Sequence, residues 1–462
     1  MLIIQNGILV EPDGTRPGDV ALEDGVIVEV GDSIESIPKG KNGACETLDA
    51  AGCFVFPGFI DAHTHLDMDN GVTVTADDFN TGSAAAVVGG TTMLVDFATQ
   101  IRGGALRDAL KTWRQKAEGK AHCDYGFHMA ITDWNERTRA ELDEMTAAGV
   151  TTFKLYMAYD ALRVDDGQLL DILGEMKRIR SLAGVHCENG TIVNTLVKKR
   201  LAMGDTGPAA HQRSRPPEAE AEAVSRLLYI ARIADWPVCV VHLSCALGLE
   251  EIRRARAAGQ KVLVETCPQY LLLDDSYYDL PGFEGAKYVC SPPLRSKRDA
   301  MILTQALRDG EIDTVATDHC SYRFHEQKKL GIGDFSKIPN GLPGVEHRPA
   351  LLFSMVARGQ LSLTRMCEAL ATAPAKAYGL YPRKGALRVG SDGDIVIWQP
   401  GNYGKVTAGA QRQNVDYTPF EGFDVLGRPR EVLLRGRVVV DRGKLVQPRE
   451  GRYVFRDKPI LG

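Results

Sequence analysis

The 462-residue chain has no run that approaches the ~18 consecutive apolar residues needed to cross a bilayer as a helix. It has no excess of basic charge either. Its 55 lysines and arginines are outnumbered by 60 aspartates and glutamates, for a net charge of −5. That balance argues against nucleic acid or an anionic membrane as the main partner. Cysteine is sparse: ten residues are scattered through the chain without a dense framework, the pattern of reduced thiols in a cytoplasmic protein. The opening "MLIIQNGILVEPDG" turns polar after four residues and lacks a basic start and a long apolar core, so no signal peptide is expected. No internal repeat or low-complexity tract stands out. With 44% hydrophobic and 25% charged residues, the composition is that of an ordinary folded protein, which excludes general disorder.

Both ends carry short strand patterns punctuated by turns. "LIIQNGILVEPDG" and "DVALEDGVIVEVGDSI" read as strands separated by Asn-Gly and Asp-Gly turns, and "GALRVGSDGDIVIWQP" and "EVLLRGRVVVDRGKLV" repeat the style near the C-terminus. The middle alternates apolar strands with helical segments, as parallel βα units do. Eight strand candidates are Phe54–His65, Thr91–Phe97, Asp124–Ile131, Thr151–Met157, Gly184–Asn189, Val238–Ser244, Lys261–Tyr270 and Thr314–Cys320. Helical stretches between them include "DDFNTGSAAAVVGG", "ERTRAELDEMTAAG" and "LEEIRRARAAG", each closed by glycine. "QRSRPPEAEAEAV" reads as a proline break followed by a helix start whose acidic run faces solvent. The expected fold is α/β, a (β/α)8 TIM barrel over residues 54–374. A β-sandwich domain would be built from residues 1–53 and 375–462. A doubly wound sheet would also alternate, so alternation by itself leaves both open.

Chemistry-bearing residues gather at the ends of these strands. "GFIDAHTHLDMD" places His63 and His65 two apart, on one face of a strand and suited to one metal. "GVHCEN" ends in His186, "VVHLS" in His242 and "VATDHC" in Asp318. In a barrel, C-terminal strand ends converge on the active site. "GVTTFKLYMAYD" sets Lys154 inside an otherwise apolar strand, where an ammonium must be paired, reach water or be neutralised. Asp61 shares a face with His63, and Glu188 with His186. Either could hold its imidazole or simply hydrogen-bond elsewhere in the core. His319, Cys187 and Cys320 read as packing or supporting residues.

The ordered set His63-x-His65, Lys154, His186, His242 and Asp318 resembles the amidohydrolase superfamily. Within it, the dihydropyrimidinase/hydantoinase branch of cyclic amidohydrolases is the nearest match. "VFPGFIDAHTHLD", "FKLYMAY", "VETCPQYLLLD", "CSPPLR", "ATDHC", "NGLPGVEHR" and "NVDYTPFEG" carry the resemblance over nearly the whole chain. It implies hydrolytic ring opening of hydantoins, 5-substituted hydantoins such as phenylhydantoin, or dihydropyrimidines. It also implies two Zn2+ per subunit and a homotetramer. By the same resemblance His63, His65 and Asp318 hold one zinc and His186 and His242 the other. Lys154, carboxylated by CO2 to N6-carboxylysine, bridges them. Asp318 is the proton carrier and Tyr159 the donor to the developing oxyanion. Ser291 and Asn340, with Tyr159, hold the ring.

Two kinds of rival remain. Allantoinases and dihydroorotases share the metal set, and Arg295 or Arg323 could serve a substrate carboxylate. Non-catalytic scaffold relatives, the collapsin-response mediator proteins, share the fold but have lost ligands, whereas every expected ligand is present here.

Overall fold

The computed structural model describes residues 1–34 and 45–461. Eight parallel strands form the barrel sheet. In order they are Phe59–Thr64, Thr91–Thr99, Asp124–Ala130, Thr152–Tyr156, Leu182–His186, Val238–Val240, Val262–Thr266 and Thr314–Val315. The first and last close through a parallel bridge between Thr64 and His319, with His65 N donating to His319 O at 2.8 Å. Along each strand, alternate residues face the surrounding helices or the barrel interior. In the fourth strand Phe153 and Leu155 join the apolar layer under the helices, and Lys154 faces the interior. Tyr378 fills the space below, its ring 5.0 Å from that of His128.

The terminal segments form a nine-stranded, mostly antiparallel sheet, as the two ends of the sequence suggest. Strand Ile395–Pro400 pairs with Phe54–Pro57, which in turn pairs with Leu2–Glu11. The sheet folds over its own apolar core, which includes Ile4, Leu9, Val20, Val55, Ile395 and Leu433.

Several local expectations are corrected. The segment expected as one strand, Phe54–His65, divides. Phe54–Pro57 belongs to the terminal sheet and Phe59–Thr64 to the barrel. Gly58 lies at the junction, where a Cβ would sit 2.1 Å from Thr92 Oγ1, so no larger residue fits. The Asn6-Gly7 pair does not make a turn. It lies inside Leu2–Glu11 as a bulge, with Asn6 at φ 63° and its N–H donating to Asp19 Oδ1 at 2.9 Å. Barrel strands six to eight are shorter than expected. After Val262–Thr266 a helix begins at Pro268, and after Thr314–Val315 the backbone turns irregular, with Asp318 at φ 52°.

The helical readings hold in outline. Helix Phe79–Val88 starts at Asp78, whose side chain accepts from Asn80 N and Thr81 N, and ends at Gly89-Gly90. "ERTRAELDEMTAAG" breaks in two at Glu141, whose carboxylate accepts from Leu106 N at 2.6 Å. The acidic run after Pro216-Pro217 is not all solvated, since Glu220 is buried on Ser244 and Arg295. No helix among the described residues is long and apolar enough to cross a membrane.

Candidate metal centre

Five of the barrel strands deliver the histidines, Lys154 and Asp318 to its C-terminal mouth. His63 Nε2 and His65 Nε2 lie 3.3 and 3.2 Å from the same atom, Asp318 Oδ1. One ligand atom from each of the three residues falls within 4.8 Å of the others. Across the mouth, His186 Nδ1 and His242 Nε2 are 3.0 Å apart. Lys154 is buried near both groups, close enough for its charge to act on His63, His186, His242 and Asp318, with Nζ 5.1 Å from the centre of the Phe97 ring and 5.4 Å from that of Tyr156. It forms no hydrogen bond or ion pair within the described residues, so neither a snorkelled nor a carboxylate-paired lysine describes it.

The backbone is bent to make this arrangement. Tyr159, His242 and Asp318 all have left-handed φ values, 66°, 40° and 52°. Non-glycine residues adopt that region rarely, and clustering at one mouth is where strain is tolerated for function.

The electrostatics suit cation ligation. Burial, and then the charge of Lys154, hold His63 and His242 well below the ordinary imidazole range. Both are therefore neutral, with lone pairs available. Burial also lowers His186, against the opposing pull of Glu188. Burial pushes the Lys154 amine down to about 8, a fall that Asp318 and Glu265 only partly offset. Burial would raise Asp318, but the imidazoles of His63 and His65, the latter through a hydrogen bond, and the Lys154 amine hold it below its usual value. Two buried imidazole nitrogens, His63 Nε2 and His242 Nδ1, have no hydrogen-bond partner. Unpartnered nitrogens, neutral imidazoles, a shared carboxylate oxygen and an unpaired amine together fit a cation-binding site.

Supporting residues lie behind the mouth. Glu188 Oε2 meets His186 Nε2 at 2.8 Å, so of its two expected roles it takes the imidazole. Asp61 does not meet the His63 ring. It accepts from Thr317 N and Oγ1 at 3.1 and 2.7 Å and so braces the approach to Asp318. His319 takes part in the core, bonded to Asp77 at 3.1 Å and accepting from Gly344 N.

Two residues escaped the sequence reading. Glu265, ending the seventh strand, holds His63 Nδ1 at 2.6 Å, and burial lifts its carboxyl to about 8. The only signal was its place in "VETCPQY", at a strand end like the histidines. Arg215 lies in the stretch read as a proline break. It donates to Glu188 at 2.6 Å and stacks 5.6 Å above the Tyr159 ring. No periodicity could have announced it.

Tyr159 sits 5.2 Å from the His186 ring, its phenol raised by burial to about 12. Ser291 is buried, its side chain close enough to act on the Tyr159 phenol, and the Asn340 carbonyl faces Cys320 Sγ at 3.6 Å, two residues after Asp318. Arg295 is committed to Glu220 and Ser244 at 2.8 and 3.0 Å, and Arg323 to Asn414 at 2.9 Å.

Residues 54–439 match the amidohydrolase family. The chain is 45% identical over 460 residues to a D-hydantoinase of Geobacillus stearothermophilus, covering 99% of this chain and 96% of that one. It is 43% identical to a D-hydantoinase of Rhizobium radiobacter, covering 99% of each. Among solved structures, a dihydropyrimidinase from Brevibacillus agri superimposes with a TM-score of 0.96 at 43% identity, over 99% of both chains.

Proposed function

This chain belongs to the amidohydrolase family, in its hydantoinase/dihydropyrimidinase branch, and we propose that it opens cyclic amides by hydrolysis. The substrates would be hydantoins, 5-substituted hydantoins such as phenylhydantoin, and dihydropyrimidines, with hydantoins yielding N-carbamoyl amino acids. The observation that carries the reading is the buried lysine without a hydrogen-bond or ion-pair partner, near both a His-His-Asp group and a His-His pair.

His63, His65 and Asp318 would hold one zinc ion, and His186 and His242 a second. Bound there, zinc supplies Lewis acidity toward the ring carbonyl and lowers the pKa of water. Lys154 would bridge the two as a carbamate. Its amine adds to CO2, forming a C–N bond and releasing one proton, and the product carries one negative charge on two oxygens. A pKa near 8 leaves enough free amine for that addition near neutral pH.

Asp318, whose pKa its neighbours hold below the usual value, is ionised; it accepts the proton of the attacking water and returns it to the leaving ring nitrogen. Tyr159, with its phenol raised to about 12, stays protonated and donates to the oxyanion that develops on the carbonyl. Ser291 and Asn340 hold the ring amide through their main chain. Glu265 and Glu188 fix the orientation of His63 and His186. All ten cysteines are free and nine are buried, in keeping with a reducing cytoplasmic setting. A homotetramer is the assembly to test by light scattering.

The decisive experiment measures zinc content alongside turnover of hydantoin, both 5-phenylhydantoin enantiomers, dihydrouracil, allantoin and carbamoyl aspartate. Zinc with hydantoin or dihydrouracil opening supports the proposal. Turnover confined to carbamoyl aspartate or allantoin would reassign the substrate, and a zinc-free protein with no turnover would leave a scaffold.

A further inference from the structure

A second buried lysine stands near the mouth, and its surroundings are the reverse of those of Lys154. Lys328 is fully buried on the segment that follows Asp318 and Cys320. Its Nζ donates to the carbonyls of Val289, Pro339 and Gly341 at 2.8, 2.7 and 2.7 Å. An ammonium has three N–H donors, and all three are used. Among the described residues no carboxylate lies within ion-pair distance. A cation buried without an anion is expensive, and burial pulls the Lys328 amine down to about 7; the three carbonyls are what favour its charged form.

The identity of those carbonyls is the informative part. Val289 leads into Cys290 and Ser291, while Pro339 and Gly341 flank Asn340. The ammonium thus ties together the two loops on which Ser291 and Asn340 ride. Gly341 N adds a direct bond to Val289 O at 3.0 Å. With the Pro339 and Gly341 carbonyls both drawn to Lys328, the carbonyl between them is turned elsewhere, and Asn340 O faces Cys320 Sγ. The same loop is pressed against the end of the eighth strand. Cys320 N donates to Leu342 O at 3.1 Å, and a Cβ on Gly341 would lie 2.3 Å from Cys320 O. The loops therefore have little freedom except through their shared cation.

We propose that Lys328 is a positioning residue for the substrate: by gathering these three carbonyls onto one ammonium, it sets the separation of the two loops whose main chain holds the ring amide. This rests on the reading that Ser291 and Asn340 hold the ring. Lys328 touches neither the candidate metal ligands nor the reacting carbonyl. Its removal therefore weakens ring binding more than it slows the chemical step.

The test compares wild type, Lys328→Met and Lys328→Gln in steady-state hydantoin hydrolysis, with zinc content and melting temperature measured in parallel. Methionine keeps the bulk and removes every donor, while glutamine keeps two N–H donors. KM should rise roughly tenfold in Lys328→Met with kcat held within about threefold, and zinc content should match wild type. Lys328→Gln should fall between the two. An unchanged KM in a folded Lys328→Met protein overturns the proposal, as does a joint collapse of kcat, KM and zinc content. If Lys328→Met does not fold, Lys328→Gln decides alone: a raised KM with kcat kept supports the role, and an unchanged KM overturns it. A wild-type enzyme that opens no cyclic amide is a separate outcome. It would overturn the proposed function, and this inference with it.

Discussion

The two ends of the barrel each bury a lysine among ionisable groups, and they treat it in opposite ways. At the N-terminal end Lys384 meets Asp124, Asp394 and Asp392 at 2.8, 2.6 and 3.0 Å, and Arg435 also pairs with Asp124. Burial alone would lower Lys384, but Asp394 and Asp124 hold it well above its ordinary value. At the C-terminal end Lys154 has no such partner, and burial prevails. Each end also gathers three side chains whose ligand atoms lie within 4.8 Å: Asp124, Asp392 and Asp394 below, His63, His65 and Asp318 above. Closeness of ligands therefore does not distinguish a metal centre. The lower carboxylates already have their cations in Lys384 and Arg435, whereas the upper group keeps unpartnered nitrogens and an unpaired amine. Satisfied valence marks a structural cluster and unfilled valence a functional one.

The contrast can be broken most sharply at Lys154. Lys154→Ala should lose metal and at least about a thousandfold in turnover, the scale of losing a metal-activated reaction. Added short carboxylic acids should restore part of it by supplying the missing bridge. Full activity without them would refute the carbamate.

The matching change below is Lys384→Met. It strands Asp124 and Asp394, and the protein should be less stable by about 3–5 kcal/mol in chemical denaturation. Zinc content and kcat of the folded fraction should stay at wild-type values. A large kcat loss at unchanged stability would erase the distinction between the ends.

Glu265→Gln probes the support of the upper site rather than its ligands. It weakens the grip on His63 Nδ1, and zinc affinity, read by competition with a chelator, should fall roughly 10–100-fold.

The smallest effect concerns acid stability. Burial pushes the Glu188 carboxyl up, but Arg215 and His186 outweigh it and hold the group well below 4.5. A carboxyl depressed in the folded state stabilises fully above the unfolded value near 4.5, and that contribution is lost as pH falls below it. Melting temperature measured from neutral pH to about pH 3 should therefore drop below about pH 5, and Glu188→Gln should show a shallower drop. Equal slopes in the two proteins would assign the acid limb to other groups.

Much of the architecture was legible because strands and helices leave local periodic signals. The alternating middle, the strand-rich ends and the glycine stop at Gly89 could all be read from local signals. The Asn6-Gly7 bulge was misread as a turn because a dipeptide's preference for positive φ does not say whether the chain reverses. The split of Phe54–His65 was hidden because both halves are apolar, and only pairing partners separate them. In the mouth, His63, His65, His186, His242, Lys154 and Asp318 were visible as residue types at strand ends. Arg215 and Glu265 were not, because their importance lies in contacts with residues 27 and 202 positions away.

The sequence by itself determined which chemistry the chain carries: imidazoles, a carboxylate and a lysine on strands of the alternating middle. Only the tertiary structure decided which charges would be left unsatisfied. Lys154, Lys328 and Lys384 are the same residue type, all fully buried, yet they meet no partner, three carbonyls and three carboxylates. The reason is physical. The fate of a buried charge depends on what surrounds it within a few ångströms, and those neighbours come from distant parts of the chain.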